Sequence, residues 1–273
     1  MRNGPSTSAA DREHPTPSAE FDALFHGEHR SGGFARVARL ADPALPEEIE
    51  PFSFLSTDLL HHIASALALQ PGDILADLGC GRGGPGLWLA RDGHAKLVGI
   101  DFSPVAVAQA RQRAALFGLD RNARFVTSEL TATGLPDASV SAAVSIDAIQ
   151  YAPGRTAAAT EARRILRPGG RLVLTGWHPR TPGDPRLSAR HRDTDWPAVL
   201  RTVGFTAVRC HTRTTWTDIY LRIYRTALQM GDPDGDTALA GLQSEARRRL
   251  PTAHLLRRVA VTAIAPPNGV PVT

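Results

Sequence analysis

Residues 71–90 read PGDILADLGCGRGGPGLWLA, and this stretch predicts a strand, a glycine-rich loop and a helix. The turn signal at Pro71-Gly72 precedes a short apolar run, and an apolar periodic segment follows the glycines. Glycine tolerates positive φ and lets a ligand approach the backbone closely. The helix that follows directs its free N–H groups toward the same place. The stretch therefore predicts a ligand site, with Pro85 suited to the first helical turn.

Two carboxylates follow neighbouring predicted strands. Asp77 closes the strand before the first glycine, and Asp101 closes the next strand, 97–100. In open α/β sheets, ligands bind outside the carboxyl ends of the strands. A carboxylate at the end of the second strand accepts the two hydroxyls of a ribose, which indicates an adenosine-containing cofactor. No lysine follows the glycines, as a triphosphate-binding loop requires.

The motif DLGCGRG at 77–83, together with Asp101 and LRPGG at 166–170, resembles the class I S-adenosylmethionine-dependent methyltransferases. The resemblance covers about residues 71–174. It implies S-adenosyl-L-methionine as the cofactor, with Phe102 against the adenine ring and an acidic residue after the third strand on the adenine amino group. This chain has Ser128-Glu129 where Gly-Asp is usual. The implied cofactor-binding residues are Asp77, Gly79, Cys80, Gly81, Gly83, Asp101, Phe102, Glu129 and Leu130.

The predicted fold is α/β, a Rossmann-like sheet of seven mostly parallel strands with an N-terminal helical cap and a helical lid inserted before the last strand. Residues 1–20 are predicted to be a disordered tail, and 21–70 the cap. The methyltransferase domain would span 71–273, with the lid at about 215–250. Apolar residues recur at helical spacing in this lid.

Candidate catalytic and substrate residues lie beyond the cofactor motif. His178, at the carboxyl end of the predicted fifth strand, is the first candidate for a general base, and Tyr151 is the second. A loop histidine paired with a neighbour is the alternative for His178. Phe52 and Phe54 either pack in the core or line a substrate mouth. Three further aromatic residues are candidates to contact the acceptor: Trp177, Trp216 and Tyr220.

Composition excludes several classes of function. The net charge is +4, but Lys96 is the only lysine, and the arginines are scattered over predicted helices, including Arg257 and Arg258. We interpret them as solvated helix faces, so no nucleic-acid partner is expected. No apolar run approaches the ~20 residues of a membrane span, so no membrane partner is expected either. Two cysteines in different contexts predict no disulfide and a cytoplasmic protein, with Cys80 a small neutral filler or, alternatively, a catalytic thiol.

Three clusters resemble metal sites in part, and no metal is predicted at any of them. Adjacent His61 and His62 point about 100° apart on a helix. In 191–195, Asp195 has the position of a helix cap. The acidic run 232–236 begins like a calcium loop but has no glycine at the sixth position.

The predicted function is transfer of the sulfonium methyl group to a small-molecule acceptor, with natural-product biosynthesis as the expected setting, by a monomer or homodimer. The fourth strand is followed by Asp147-Ala148-Ile149-Gln150-Tyr151, without the Pro-Pro-aromatic run of nucleobase methyltransferases. Two alternatives stay open. One is a cofactor-binding enzyme that catalyses cyclisation or rearrangement, and the other is a nicotinamide-dependent oxidoreductase, since Gly81 to Gly86 satisfies G-x-G-x-x-G.

Overall fold

The computed structural model describes residues 18–267. The first helix begins at Ser18, and most of the predicted tail 1–20 lies outside the described residues. Ten α-helices occur in this part of the chain: α1 (Ser18–Ser31), α2 (Gly33–Ala41), α3 (Thr57–Leu67), α4 (Gly84–Asp92), α5 (Pro104–Arg113), α6 (Arg155–Ile165), α7 (Ala189–Arg192), α8 (Trp196–Thr202), α9 (Thr214–Gln229) and α10 (Thr237–Ala253).

Seven strands form one sheet. They are β1 (Ile74–Leu78), β2 (Lys96–Asp101), β3 (Ala123–Thr127), β4 (Val140–Ile146), β5 (Leu166–Pro179), β6 (Thr206–His211) and β7 (Leu256–Ile264). Their order is β3-β2-β1-β4-β5-β7-β6. The first five are parallel, and β7 pairs antiparallel with both β5 and β6. The predicted fold class is confirmed.

The strand order reverses between β1 and β4, because β2 and β3 lie on one side of β1 and β4 and β5 on the other. Such a reversal leaves a crevice at the carboxyl ends of the strands. Every residue of β4 is buried, as expected for a strand with helices on both faces. The fold therefore places the ends of β1, β2 and β4 around one site.

Local sequence fixes the helices that border this site. Ser56 caps α3 by accepting a hydrogen bond from the Leu59 N–H at 3.1 Å, and Ser103 caps α5 by accepting from the Ala106 N–H at 3.0 Å. Both caps satisfy donors that the helix itself leaves free. Pro104 is the first residue of α5, as predicted.

The insertion between β6 and β7 consists of α9 and α10, which pack against α2 and α1. Ile223, Ala227 and Leu242 are buried between these helices. The lid and the N-terminal helices therefore share one apolar core, which lies beyond the carboxyl edge of the sheet.

Candidate active site

A cavity of about 940 Å³ lies at the carboxyl ends of β1, β2 and β4. Residues of the glycine loop line one half of it, and α9, α10 and the segment before α3 line the other. Pockets for a single small ligand range from about 300 to 1,000 Å³. The cavity lies at the upper end of this range, so it can hold a ligand of cofactor size.

The glycine loop needs its glycines for conformation. Gly79, Gly81 and Gly83 have φ of 81°, 51° and 79°, in the left-handed region. The N–H groups of Gly79 and Cys80 donate to the Ile100 carbonyl at 2.8 and 2.9 Å, which ties the loop to the end of β2. Gly79 and Gly81 line the cavity, whereas Gly83 does not and serves as the N-cap of α4. The prediction that Gly83 contacts the cofactor is therefore corrected, because Gly83 forms the turn that begins α4.

Asp77 is a buried carboxylate that receives no hydrogen bond from any residue in the range 18–267. Burial, together with the nearby charge of Asp101, raises the pKa of Asp77 to about 7. The side chain lines the cavity and lies so close to α4 that a Cβ on Gly86 would stand 2.2 Å from its Oδ2. An unpaired carboxylate in a cavity is suited to a cationic ligand group such as an ammonium.

Asp101 is also buried and lines the cavity. Its Oδ2 accepts the Gly81 N–H at 2.8 Å, and its Oδ1 accepts the Ser103 N–H at 2.9 Å. Burial nevertheless raises its pKa to about 6, against the effect of these two bonds. Each oxygen keeps acceptor capacity, so the carboxylate is held in place and still able to receive two hydroxyl groups.

Phe102, Glu129 and Leu130 line the same half of the cavity as the two acids. Cys80 does so as well, and burial raises the pKa of its thiol well above the ordinary value. A thiol so far from ionisation at neutral pH is a poor nucleophile. This favours the interpretation of Cys80 as a small neutral filler.

Helix α1 contributes residues to the lining of this cavity. The Phe21 ring lies edge-on to Phe102 at 5.2 Å and to Tyr151 at 5.3 Å. Asp22 accepts a hydrogen bond from the Ser103 hydroxyl, and a Cβ on Gly81 would be 3.5 Å from the Phe25 ring. No motif or spacing in the sequence predicts this contact, because α1 and the glycine loop are joined only through the tertiary fold.

The other half of the cavity is aromatic. Trp177 and Tyr220 stand 4.0 Å apart between ring centroids, and Phe54 lies 4.9 Å from Tyr220. Phe34, Phe52 and Tyr224 complete this aromatic wall. Phe52 and Phe54 therefore line a pocket, which is one of the two expectations for them. The wall suits an apolar or aromatic molecule.

Tyr151 lines the cavity, with the Arg190 guanidinium 4.6 Å from its ring centroid. Burial is the largest cause that raises the pKa of Tyr151 above its ordinary value. The phenol is therefore neutral at physiological pH and acts as a hydrogen-bond partner more readily than as a base.

His178 does not line the cavity, so its placement as a general base is corrected. Strand β5 continues to Pro179, and successive side chains on a strand point to opposite faces. Because Trp177 faces the cavity, His178 faces away from it. Its Nε2 lies 3.4 Å from the Trp196 backbone nitrogen, and burial lowers its pKa to about 4. His178 is thus a histidine paired with a neighbour, which is the alternative that the sequence left open.

The predicted acceptor contact of Trp216 is corrected as well. Trp216 is fully buried, and its ring lies 5.1 Å from the His62 ring, outside the cavity. Trp216 and Tyr220 are one helical turn apart on α9, but only Tyr220 reaches the cavity. The apolar residues that recur at helical spacing in the lid thus extend from the core, at Trp216, to the cavity, at Tyr220.

The sequence drew attention to His191 only as part of the incomplete metal cluster 191–195, whereas the structure places it in the lining of the cavity. Its Nδ1 is 3.2 Å from the Ser188 hydroxyl, and burial and nearby arginines lower its pKa to about 3. The neighbouring Asp195 caps α8, as expected, by accepting the Ala198 N–H at 3.0 Å. Within the described range, no group of three or more His, Cys, Asp or Glu side chains is arranged to hold a metal ion.

Fold and site together define an α/β domain that binds an adenosine-containing cofactor at the switch point of its sheet. The residues present fit S-adenosylmethionine, because the unpaired carboxylate of Asp77 suits an ammonium group and the anchored Asp101 keeps acceptor capacity for ribose hydroxyls. Residues 75–170 match the family described as methyltransferase domain. This segment is therefore a class I S-adenosylmethionine-dependent methyltransferase domain, as the resemblance predicted.

Two curated proteins are similar to part of the chain. The 27-O-demethylrifamycin SV methyltransferase of Amycolatopsis mediterranei is 34% identical over 44% of this chain and 44% of its own length. The 2-methyl-6-phytyl-1,4-hydroquinone methyltransferase of Synechocystis is 30% identical over 56% of this chain and 47% of its own length. The chain thus aligns with less than half of each relative.

Solved structures extend the likeness beyond the family segment. The [4+2]-cyclase SpnF has a TM-score of 0.67 and 26% identity, over 77% of this chain and 81% of that one. A Thiobacillus denitrificans methyltransferase in complex with S-adenosyl-L-homocysteine has a TM-score of 0.60 and 19% identity, over 84% and 97%. The second likeness shows the fold alone. Among residues 18–267, no helix combines the length and apolarity needed to cross a bilayer.

Proposed function

We propose that this protein transfers the methyl group of S-adenosylmethionine to a small apolar or aromatic acceptor. The observation that carries the proposal is the cavity in which the acids of the glycine loop and the aromatic wall meet. A transfer between two bound molecules requires that both bind in one cavity, and the acids suit a cofactor whereas the aromatic wall suits an apolar acceptor. The class of the domain supports the same conclusion.

In this proposal, Asp77 holds the cofactor ammonium and Asp101 its ribose hydroxyls. Glu129, exposed at the mouth of the cavity, is proposed to take the adenine amino group. When bound, the cofactor supplies a methyl group already activated by the sulfonium. The protein has to align the acceptor with that methyl group and exclude water. Helix α1 and the aromatic wall would provide the exclusion.

Tyr151 is the remaining candidate among the predicted catalytic residues. It lines the cavity and is neutral at physiological pH, so we propose that it donates a hydrogen bond to the acceptor. Trp177 and Tyr220 are the proposed acceptor contacts. The protein would be cytoplasmic, in keeping with two cysteines that are both free, and its cap and lid would correspond to α1–α3 and α9–α10.

A second candidate function keeps the cofactor without the transfer. The likeness to the cyclase SpnF, at 26% identity, favours an enzyme that catalyses cyclisation or rearrangement on the aromatic wall. Such an enzyme would bind S-adenosylhomocysteine but release none from S-adenosylmethionine.

The test is a turnover screen by mass spectrometry with S-adenosylmethionine and a panel of phenols, quinols and macrolactones. Transfer predicts S-adenosylhomocysteine and a methylated product in equal amounts, and neither with the Asp101→Ala variant. Tight binding of S-adenosylhomocysteine with no product from any acceptor would favour the second candidate. Saturation by NADH in place of S-adenosylhomocysteine would contradict both and favour the oxidoreductase alternative.

A further inference from the structure

Asp147 and Arg258 form a buried ion pair in the cavity wall. Arg258 is fully buried, and its Nη2 lies 2.8 Å from Asp147 Oδ2 while its Nη1 contacts Oδ1. Asp147 Oδ1 also accepts the Thr175 hydroxyl at 2.8 Å, and Oδ2 accepts the Phe54 N–H at 3.1 Å. Each oxygen therefore accepts two protein donors, so the carboxylate has no capacity left for a ligand.

The pair joins segments that are far apart in the sequence. Asp147 directly follows β4 and has a φ of 58°, in the left-handed region that Asp and Asn enter more readily than other residues with a side chain. Arg258 lies on β7, Thr175 on β5 and Phe54 before α3. The Asp147 side chain is therefore held by three other segments of the chain, which fixes its position in the fold.

The same guanidinium supports the aromatic wall. Its carbon lies 4.6 Å from the centroid of the Trp177 ring, and its Nη2 is 3.4 Å from the Phe54 carbonyl oxygen. Tyr220 packs against Trp177 and against Phe54. Arg258 thus touches both Trp177 and Phe54, and Asp147 holds the backbone of Phe54.

We propose that Asp147 and Arg258 are positioning residues that set the shape of the acceptor site by fixing Phe54 and Trp177. This inference rests on the proposed function, in which the wall receives the acceptor. Arginine is required because its planar fork binds both carboxylate oxygens while its face stacks on an indole. A lysine at this position keeps the positive charge but can neither bind both carboxylate oxygens as a planar fork nor stack a flat face on the indole.

A direct test follows Trp177 in protein labelled with 5-fluorotryptophan. The chain has four tryptophans, and Trp177→Phe assigns the resonance of interest. Arg258→Lys and Asp147→Asn are each expected to shift or broaden the Trp177 signal in the fluorine NMR spectrum while the signal of Trp88 stays in place. Asp147→Asn keeps the side-chain shape, so it serves if the lysine variant does not fold.

Arg164→Lys is the matched control, because Arg164 also binds a largely buried carboxylate, that of Glu161, away from the cavity. It should leave the Trp177 signal unchanged. With an acceptor from the turnover screen, Arg258→Lys should raise the acceptor KM about tenfold and leave the Kd of S-adenosylhomocysteine within about twofold.

An unchanged Trp177 signal in both variants, or an unchanged acceptor KM in a variant with a displaced Trp177, would overturn the inference. Absence of turnover by the wild type would count against the proposed function alone, because the NMR measurement needs no acceptor.

Discussion

Asp77 and Asp147 are both carboxylates in the wall of one cavity, each at the carboxyl end of a parallel strand, yet their surroundings are opposite. Asp77 receives no hydrogen bond from residues 18–267, and burial raises its pKa to about 7. Asp147 receives bonds from Arg258, Thr175 and Phe54. An unpaired buried carboxylate is suited to a cationic ligand group, whereas a carboxylate paired with several protein donors is fixed in the fold.

The same contrast extends to the two halves of the cavity. The cofactor half consists mainly of backbone and acids at the ends of neighbouring strands, whereas the acceptor half consists of rings from distant segments. Variants in the first half should therefore act on cofactor affinity. Variants in the second half should act on the acceptor.

The largest effect is expected at Gly81. Gly81→Val should weaken binding of S-adenosylhomocysteine by about 100-fold or more, because a branched side chain enters the cofactor half and opposes the positive φ. Isothermal titration calorimetry measures this affinity, and circular dichroism checks the fold.

Gly72→Val is the matched control for Gly81. Gly72 has a φ of 88°, and a Cβ placed on it would meet nothing within 4 Å, so its variant carries a similar backbone strain away from the cavity. Equal losses of affinity in the two variants would show that strain, and not occupancy of the cofactor site, is responsible.

A smaller effect is expected at Asp101. Asp101→Ala removes the two proposed charge-assisted hydrogen bonds from the ribose hydroxyls, each worth about 1.5–3 kcal/mol at most. Water regains part of this free energy by bonding to the hydroxyls in place of the carboxylate. We expect the Kd of S-adenosylhomocysteine to rise about 10- to 100-fold in calorimetry. An unchanged Kd would remove Asp101 from the site.

These two predictions rest on features that the sequence could supply. The glycines, Asp77 and Asp101 lie on short local motifs, and a parallel sheet brings the ends of neighbouring strands together whatever else the fold does. Arg258 could not be found in this way. The composition predicts that Arg258 is exposed to solvent. Its burial depends on Phe54, Asp147 and Trp177, and no rule of sequence spacing connects these positions with Arg258.

His178 and Trp216 show a second limit of sequence reasoning. Both residue types suit the predicted roles, but orientation depends on where β5 ends and on which turn of α9 reaches the cavity. The end of β5 is predicted at Thr175, but the strand continues to Pro179. When the last residues of a strand are taken for a loop, the alternation that directs Trp177 and His178 to opposite faces of the sheet is not recognised.

In the acceptor half, Tyr220→Ala should raise the acceptor KM about tenfold while the Kd of S-adenosylhomocysteine changes less than about twofold. The ring of Tyr220 packs against Trp177 and Phe54, so its loss opens the aromatic wall without touching the acids. Tyr220→Phe keeps the ring and should behave nearly as the wild type. A loss of cofactor affinity in Tyr220→Ala would contradict the separation of the two halves.

The smallest effect is expected at His178. His178→Gln keeps an acceptor for the Trp196 N–H and lies outside the cavity, so kcat and its pH profile from about 6 to about 8 should stay within about twofold of the wild type. Because burial already lowers the pKa of His178 to about 4, its titration does not fall in this range. A drop in kcat of about 100-fold would restore its assignment as a base.

The central claim is that Asp77 is kept unpaired for the ammonium of the cofactor, and the pH dependence of S-adenosylhomocysteine binding tests it most directly. The raised pKa of about 7 means that Asp77 is protonated in much of the free protein below neutrality, whereas the ammonium binds the ionised form. Calorimetry from about pH 6.5 to about pH 8.5, above the pKa of about 6 of Asp101, should show affinity falling as pH falls through about 7, by up to about tenfold per unit, in the wild type. Asp77→Asn should bind weakly, with a clearly shallower pH dependence. A wild-type affinity independent of pH, or an unchanged affinity in Asp77→Asn, would contradict the account.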